Sequence, residues 1–235
     1  MNIGLAVYTS QNNDIAFNIG KMEEAFELSR GKVDLLCFGE SFLQGFDALS
    51  WNIDDDIEIA VAQDSDVIQH LCELTLFYKT DLLFGYFEKE DDTLYSSCAL
   101  LERGKLFHNY RRISAGWKVI SKTDEHYQEG TDVREFLYRG KLCNITLCGD
   151  LWEFPERFMT NGLLLWPIYV NFSLEEWHAF EQEYADQAYL AASRTLMVNV
   201  LSNEPTAHGG AFDFRDGHIA EQFPYDKEGI LIVSV

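Results

Sequence analysis

The chain has 235 residues, 39 of them acidic and 18 basic, which gives a formal net charge of −21. A protein this acidic is repelled by nucleic-acid phosphates and by anionic membrane surfaces, because binding to either depends on lysine and arginine neutralising negative charge. We therefore expect no nucleic acid and no membrane among its partners. The excess carboxylates, including the run from Asp54 to Asp56, are interpreted as solvated surface. The length suits one large domain, predicted to cover residues 1–235.

The first residues and the cysteines indicate the compartment. The opening MNIGLAVYTS lacks the basic start and the long apolar core of a secretory signal. The five cysteines are an odd number without a CxxC pair, which is not typical of a disulfide framework or a zinc ribbon. The six histidines show no metal-ligand spacing, and no glycine-rich phosphate loop is present. We expect a cytoplasmic protein with reduced thiols, no metal and no cofactor.

The first part of the chain alternates strands and helices. Apolar runs predict strands at 3–8, 33–38 and 82–87. Apolar residues spaced at threes and fours predict helices at 14–29 and 64–79. From residue 35 to residue 38 the second strand is uninterruptedly apolar, which is typical of a strand buried on both faces.

In the remaining part, strands follow strands. Hairpin turns are predicted at residues 103–104, 139–140 and 216–217, where an arginine or aspartate precedes glycine. A buried strand at 163–170 and a helix at 175–193 lie between the last two turns. Because helices must cover both outer faces of the sheets, the pattern predicts an α/β fold of four layers, an α-β-β-α sandwich.

Two polar, reactive side chains directly follow buried apolar runs. Glu40 follows LLCFG and Cys148 follows CNITL, and open α/β sheets place their ligand crevices at such strand ends. A carboxylate at the edge of an apolar site suits a general base. A thiol at a strand exit suits a nucleophile, because backbone N–H groups there stabilise a thiolate and an oxyanion. Position alone leaves open a solvated glutamate and a buried, inert cysteine.

Three segments around these residues carry a family resemblance. They are residues 35–46 (LLCFGESFLQGF), 95–112 (YSSCALLERGKLFHNYRR) and 147–156 (LCGDLWEFPE). Their order and intervals resemble the three successive signatures of the nitrilase, or carbon–nitrogen hydrolase, superfamily. The opening strand and helix and the closing hairpin fit the same pattern, so the resemblance covers almost the whole chain.

The resemblance implies a nitrilase-like αββα fold with a glutamate, a lysine and a cysteine at the active site. Glu40 matches the general base and Cys148 the nucleophile, whereas Arg112 stands where the lysine is expected. A guanidinium is effectively always protonated, so it holds an oxyanion through its donors but does not relay a proton. Lys118 and Lys122 are alternative sources of the lysine.

Two further positions follow from the resemblance. Many members carry a second acid before the nucleophile strand, which we expect at Glu125, with Asp124 as the alternative register. After the nucleophile, Gly149 stands where many members have an aromatic residue.

The activity implied by the resemblance is hydrolysis of a non-peptide carbon–nitrogen bond through a cysteine acyl-enzyme, without metal or cofactor. The substrate would be a small-molecule amide, a nitrile or a carbamoyl compound. Because of Arg112, an alternative is a catalytically impaired member that uses the pocket for binding or regulation. An acyltransferase would share the same residues. The resemblance also favours a homodimer formed through the helix at 175–193.

Overall fold

Two six-stranded β-sheets form the centre of the protein, whose computed structural model describes residues 1–235. The strands are β1 (Asn2–Val7), β2 (Leu35–Cys37), β3 (Asp81–Glu90), β4 (Thr93–Glu102), β5 (Lys105–Arg111), β6 (Phe136–Tyr138), β7 (Lys141–Ile145), β8 (Leu163–Ile168), β9 (Arg194–Asn199), β10 (Leu201–Asn203), β11 (Thr206–His208), β12 (Ala211–Arg215), β13 (His218–Phe223) and β14 (Gly229–Ser234). The α-helices are α1 (Ile15–Ser29), α2 (Ile53–Ile59), α3 (Asp66–Tyr78), α4 (Asp150–Glu153) and α5 (Leu174–Tyr189). Two short 3-10 helices span Ala115–Trp117 and Pro155–Phe158.

The two sheets have the same plan. The first has the strand order β14-β1-β2-β3-β4-β5, the second has β13-β12-β9-β8-β7-β6, and β10 pairs with β11 alone. In each sheet three neighbouring strands are parallel, β1-β2-β3 in the first and β7-β8-β9 in the second. The flanking strands are antiparallel. Glu40 therefore follows a parallel strand of one sheet, and Cys148 follows a parallel strand of the other.

Alternating side chains along the strands separate a central core from an outer one. In β1, Ile3, Leu5 and Val7 lie in the core between the sheets, whereas Ala6 and the neighbouring Tyr8 pack with α1 and α3. This period of two is what a strand buried on both faces requires. With α5 on the far side of the second sheet, the layers run helix, sheet, sheet, helix, which confirms the predicted four-layer sandwich.

The outer helix α5 covers the second sheet with one apolar stripe. Trp177 and Ala188 are buried with Tyr184 between them, as the spacing of the stripe predicts. Phe180 has the spacing of the same stripe but is 41% exposed. Truncating the fully buried Trp177 to alanine would cost about 3–5 kcal/mol.

The long helices begin at residues that cap them. Asp14 and Ser65 cap α1 and α3 through their side-chain oxygens, and Ser173 and Glu176 form a reciprocal capping box at the start of α5. Each cap contributes about 1 kcal/mol. The predicted helices are confirmed, although α5 ends at Tyr189, earlier than expected. None of the helices has both the length and the apolar character needed to cross a membrane.

The acidic run at the start of α2 is only partly solvated. Asp54 and Asp55 are exposed, but Asp56 is fully buried, so the expectation of a solvated run is wrong for this residue. Its carboxylate accepts hydrogen bonds from the Trp51 N–H at 2.9 Å and from the Tyr127 hydroxyl at 2.7 Å. These donors offset the cost of taking the charge out of water.

Candidate active site

Glu40 lies in a turn that two glycines allow to pack against both sheets. Its N–H donates to the Ile168 carbonyl of β8 at 3.2 Å, and the Gly85 N–H of β3 donates to the Gly39 carbonyl at 3.1 Å. A Cβ atom at Gly85 would lie 2.6 Å from the Glu40 Cα, and one at Gly39 would lie 2.8 Å from the Ile168 oxygen. Side chains at these two positions would push the turn away, so the glycines place Glu40 between the sheets.

The Glu40 carboxylate is fully buried, and only one of its two oxygens accepts hydrogen bonds. Its Oε1 accepts hydrogen bonds from Arg112 Nη1 at 2.8 Å and from Ser96 Oγ at 3.1 Å. Its Oε2 is buried without a conventional hydrogen-bond partner. The negative charge of this carboxylate raises the pKa of the Cys148 thiol. A buried carboxylate oxygen left free beside a thiol is placed to accept a proton.

Cys148 leaves β7 in a strained backbone conformation. Its φ of +39° lies in the left-handed region, which costs a non-glycine residue about 1–3 kcal/mol. Two hydrogen bonds hold it there: its N–H donates to the Pro167 carbonyl at 3.1 Å, and its carbonyl accepts from Trp166 Nε1 at 3.0 Å. Its thiol donates to the Tyr169 carbonyl at 3.5 Å.

The Cys148 thiol is protonated at rest. Burial raises its pKa, the nearby Glu40 carboxylate raises it further, and the Arg112 guanidinium lowers it only in part, which leaves a pKa of about 12. Since the thiolate is the nucleophilic form, attack needs a base that takes the proton as the carbon–sulfur bond forms. The free oxygen of Glu40 is positioned to be that base.

Arg112 reaches the site from the end of β5. Its N–H donates to the Ser96 carbonyl at 2.8 Å, which continues the pairing with β4, and its side chain is 3% exposed. Nε donates to Ser114 Oγ at 2.8 Å, and Nη1 donates to Glu40. Burial acts to lower the pKa of Arg112, but Glu40, Cys148 and Asp150 raise it above its ordinary value, so the guanidinium stays charged.

Two hydrogen-bond donors beside Cys148 have no acceptor within the protein. The Gly149 N–H makes no backbone or side-chain hydrogen bond, and Arg112 Nη2 makes none either. They are close together, since a Cβ atom at Gly149 would lie 2.5 Å from Nη2. Paired donors next to a nucleophile are the arrangement that stabilises an oxyanion.

Asp150 is a site residue that the sequence analysis missed. Its Oδ1 accepts from the N–H groups of Ile113 at 3.0 Å and Ser114 at 2.7 Å, and its Oδ2 accepts from the Tyr110 hydroxyl at 2.5 Å and the Leu147 N–H at 3.1 Å. Burial raises the pKa of this fully buried carboxyl, although Arg112 and these donors oppose the shift. Asp150 thus ties the segment carrying Arg112 to the segment carrying Cys148. The signal in the sequence was a carboxylate two residues after the nucleophile, inside an otherwise apolar stretch.

The structure brings Glu40, Arg112 and Cys148 together but does not bring the predicted second acid to them. Glu125 and its alternative Asp124 are both exposed, so the expectation that one of these two residues is the second acid of the site is not met. The reason lies in the backbone, because the segment 126–128 pairs with Leu94 of β4 and leaves these side chains pointing to solvent.

The alternative lysines also lie elsewhere. Lys118 forms an ion pair with Glu129 at 2.7 Å and donates to the Tyr127 carbonyl. Lys122 is exposed. Arg112 is therefore the cation that contacts Glu40.

Comparison with known proteins points to one family. Residues 3–235 match the family model described as carbon-nitrogen hydrolase. A sequence comparison with curated proteins finds no match.

Solved structures with a similar fold include the following three. Glutamine-dependent NAD+ synthetase from Acinetobacter baumannii matches with a TM-score of 0.78 and 20% identity over 98% of this chain, which spans only 44% of that enzyme. XC1258 from Xanthomonas campestris, a CN-hydrolase superfamily protein with an arsenic adduct in its active site, matches with a TM-score of 0.79 and 16% identity, covering 99% of this chain and 89% of that one. An amidase from Nesterenkonia sp. matches with a TM-score of 0.80 and 16% identity, covering 100% and 90%.

Proposed function

This chain belongs to the carbon–nitrogen hydrolase family, and we propose that it is a cytoplasmic enzyme that hydrolyses the carbon–nitrogen bond of a small-molecule amide. A nitrile or a carbamoyl compound is the next candidate substrate. The observation that carries the proposal is the presence beside Cys148 of both the free Oε2 of Glu40 and the unpaired donors of Gly149 and Arg112. In a glutamate-to-glutamine mutant of the Nesterenkonia amidase, acrylamide has added to the active-site cysteine by Michael addition, which supports a nucleophilic role for the cysteine of this fold.

The first half of the reaction forms an acyl-enzyme. The substrate carbonyl oxygen accepts from the Gly149 N–H and Arg112 Nη2, Cys148 Sγ attacks the carbonyl carbon, and the thiol proton passes to Glu40. The carbon–nitrogen bond then breaks, and the protonated Glu40 gives its proton to the leaving nitrogen. Ammonia leaves and a thioester remains on Cys148, with Glu40 again ionised.

The second half hydrolyses the thioester. A water molecule attacks the thioester carbon through its oxygen while Glu40 takes a proton from that water. The Gly149 N–H and Arg112 Nη2 again stabilise the oxyanion. Collapse breaks the carbon–sulfur bond and releases a carboxylic acid. The proton returns from Glu40 to the Cys148 sulfur. In this scheme one carboxylate moves every proton, so Arg112 has only to hold charge, which a guanidinium does well.

Ammonia release from a panel of small amides and nitriles tests the proposal. We expect release by the wild type, none by Cys148→Ala, and a mass adduct on Cys148 in the wild type alone. Absence of both cysteine-dependent release and the adduct would contradict hydrolysis. A product that carries the acyl group on an added amine would identify an acyltransferase instead.

The catalytically impaired alternative rests on Arg112 and has its own test. If the wild type is inactive and Arg112→Lys creates activity, the pocket serves binding or regulation. If Arg112→Lys lowers an existing activity, the arginine belongs to a working site.

We also propose that the protein forms a homodimer through α5. Exposed apolar side chains on and beside this helix support the proposal: Phe180 is 41% exposed, Tyr189 56% and Leu190 57%. Such a patch is typical of a surface that another chain covers. Sedimentation is expected to give twice the chain mass for the wild type and the chain mass for Phe180→Asp. A monomeric wild type would contradict the proposal.

A further inference from the structure

Two glycines border the outer nitrogen of Arg112. A Cβ atom at Gly149 would lie 2.5 Å from Nη2, and a Cβ atom at Gly116 would lie 2.9 Å from it. Non-bonded heavy atoms pack at roughly 3.5 Å or more. Neither position therefore accepts even an alanine while the guanidinium stays where it is.

The backbone does not require glycine at these positions. Gly149 has φ −66° and ψ −15°, ordinary right-handed helical values that every L-residue adopts. Gly116 lies in the short helix Ala115–Trp117 and is not among the glycines with positive φ. The absence of a side chain at these positions thus provides space rather than backbone freedom.

Two hydrogen bonds prevent the guanidinium from moving aside without a loss of stability. It is planar, and two of its nitrogens are already fixed, Nη1 by Glu40 at 2.8 Å and Nε by Ser114 at 2.8 Å. Moving Nη2 away from an added methyl group would tilt the whole plane and lengthen both bonds. Because the side chain is only 3% exposed, such a tilt would also disturb the groups packed around Arg112.

We propose that Gly149 and Gly116 are positioning residues that act through Arg112. Together they form a slot that holds Nη2 beside the free N–H of Gly149, so arginine and glycine at positions 112 and 149 work as a matched pair. Lysine lacks the forked end of the side chain and so does not need the slot. The steric pairing stands on geometry alone, whereas its effect on catalysis rests on the proposed function.

A double-mutant cycle on Arg112 and Gly149 tests this pairing. The variants are Gly149→Ala, Arg112→Lys and the two combined, with Gly20→Ala as the control because a Cβ atom there meets nothing within 4 Å. We expect Gly149→Ala to lower Tm by several degrees in the arginine background and by much less in the lysine background. Gly20→Ala should not lower Tm, since alanine suits a helix better than glycine.

Kinetics of amide hydrolysis provide the second measurement. Gly149→Ala should lower kcat by about 10²-fold with little change in KM, because it displaces an oxyanion donor. Adding Arg112→Lys should restore part of the lost kcat. A purely structural role of Gly149 would give no such rescue by a change at another residue.

The outcomes are distinguishable. Equal losses of Tm from Gly149→Ala in the two backgrounds would overturn the pairing. If Gly149→Ala does not fold, folding of the double variant supports the pairing and its failure overturns it. If the wild type hydrolyses none of the amides, the proposed function fails, but the Tm cycle still decides the steric inference.

Discussion

Arg111 and Arg112 are adjacent in the chain and bind buried glutamates on opposite faces of the first sheet. Arg111 Nη2 lies 2.5 Å from Glu88 Oε1, and Arg112 Nη1 lies 2.8 Å from Glu40 Oε1. Both glutamates are fully buried. The alternation follows from the pleat of the strand, which sends successive side chains to opposite faces. Two arginine–glutamate ion pairs thus lie on opposite faces of the sheet. The Arg111–Glu88 pair faces the helices, and the Arg112–Glu40 pair faces Cys148.

The two ion pairs differ in whether a carboxylate oxygen remains without a hydrogen-bond partner. Both oxygens of Glu88 are engaged, with Gln63 and Arg111 on Oε1 and with Ser97 and Asn109 on Oε2. Glu40 keeps one oxygen without a conventional partner. A fully satisfied buried carboxylate stabilises the fold, whereas a half-satisfied one is available for chemistry. Glu88 therefore offers a matched control for Glu40.

The first prediction concerns the base. Glu40→Gln should lower the rate of amide hydrolysis by about 10²- to 10⁴-fold, because glutamine accepts no proton from the thiol or from water. Glu88→Gln makes the same chemical change on the other face and should leave kcat of the folded enzyme near the wild-type value. Equal kcat values for wild type and Glu40→Gln would remove Glu40 from the mechanism.

The second prediction is that Glu40→Gln makes the Cys148 thiol more acidic. The negative charge of Glu40 raises the pKa of Cys148 while Arg112 lowers it, so Glu40→Gln should bring that pKa below the wild-type value of about 12. Titration of the ultraviolet absorbance of the thiolate, with Cys148→Ala as the blank, measures the shift. An unchanged or higher thiol pKa would mean that the two side chains do not interact. Hydrolysis and thiolate formation should thus change in opposite directions.

The third prediction concerns stability and pH. Burial acts to raise the pKa of Glu88, but the Arg111 ion pair and the neighbouring hydrogen-bond donors outweigh it and lower the pKa below its ordinary value of 4.5. A carboxyl group with a lowered pKa in the folded state stabilises the protein above its unfolded pKa, and this contribution is lost as pH falls through the folded value. Glu88→Gln should therefore cost about 1–3 kcal/mol at pH 7 and progressively less below pH 4.5.

Denaturant unfolding of wild type and Glu88→Gln at neutral and acidic pH measures this difference. The gap in unfolding free energy should narrow as the pH is lowered. A gap that stays constant or widens on acidification would show that the charge of Glu88 does not contribute.

The fourth prediction concerns Asp150. Asparagine places an amide nitrogen where the carboxylate accepts bonds, so Asp150→Asn should cost about 2–4 kcal/mol. It should also lower kcat, because Asp150 fixes Arg112 relative to Cys148. Asp213→Asn is the control, since that carboxylate is equally buried but pairs with arginines outside the site. Thermal unfolding and kcat together check the prediction, and a loss of kcat no greater than in the control would contradict it.

The fifth prediction concerns the turn that carries Glu40. Gly85→Ala places a methyl group 2.6 Å from the Glu40 Cα, so it should cost about 1–3 kcal/mol and reduce activity. Gly20→Ala again provides the comparison. Measured Tm and ammonia release equal to those of the wild type would mean that the turn moves freely.

Much of the fold followed from local pattern. The apolar run at 33–38 and the helical spacing of Trp177 and Ala188 each match the burial of these residues in the structure. Phe180 fits the same stripe by spacing but is exposed, because a helix stripe is broader than the face that the sheet covers. Asp56 could not be predicted as buried, since its donors come from Trp51 and the distant Tyr127.

The site was predictable where it followed strand ends. Glu40 and Cys148 stand directly after apolar runs, and Arg112 stands in a family signature. Glu125 was expected from the family resemblance, and no local pattern reveals that its loop pairs along β4 with the side chain outward. The role of Asp150 depends on hydrogen-bond donors about 40 positions earlier in the chain. A short stretch of sequence around Asp150 therefore does not reveal this role.

The three site residues follow strands of two different sheets, and this arrangement has a consequence for refolding. Glu40, Arg112 and Cys148 follow β2, β5 and β7. Two of these strands belong to one sheet and the third to the other, so no single sheet contains the site. A partly folded chain with both sheets formed but undocked would have its helices and an ordinary, reactive thiol. Contacts this far apart in sequence carry a large loop-closure entropy, which slows their formation. The loss of thiol reactivity during refolding should therefore lag behind the return of helical signal and coincide with the closing of the sandwich.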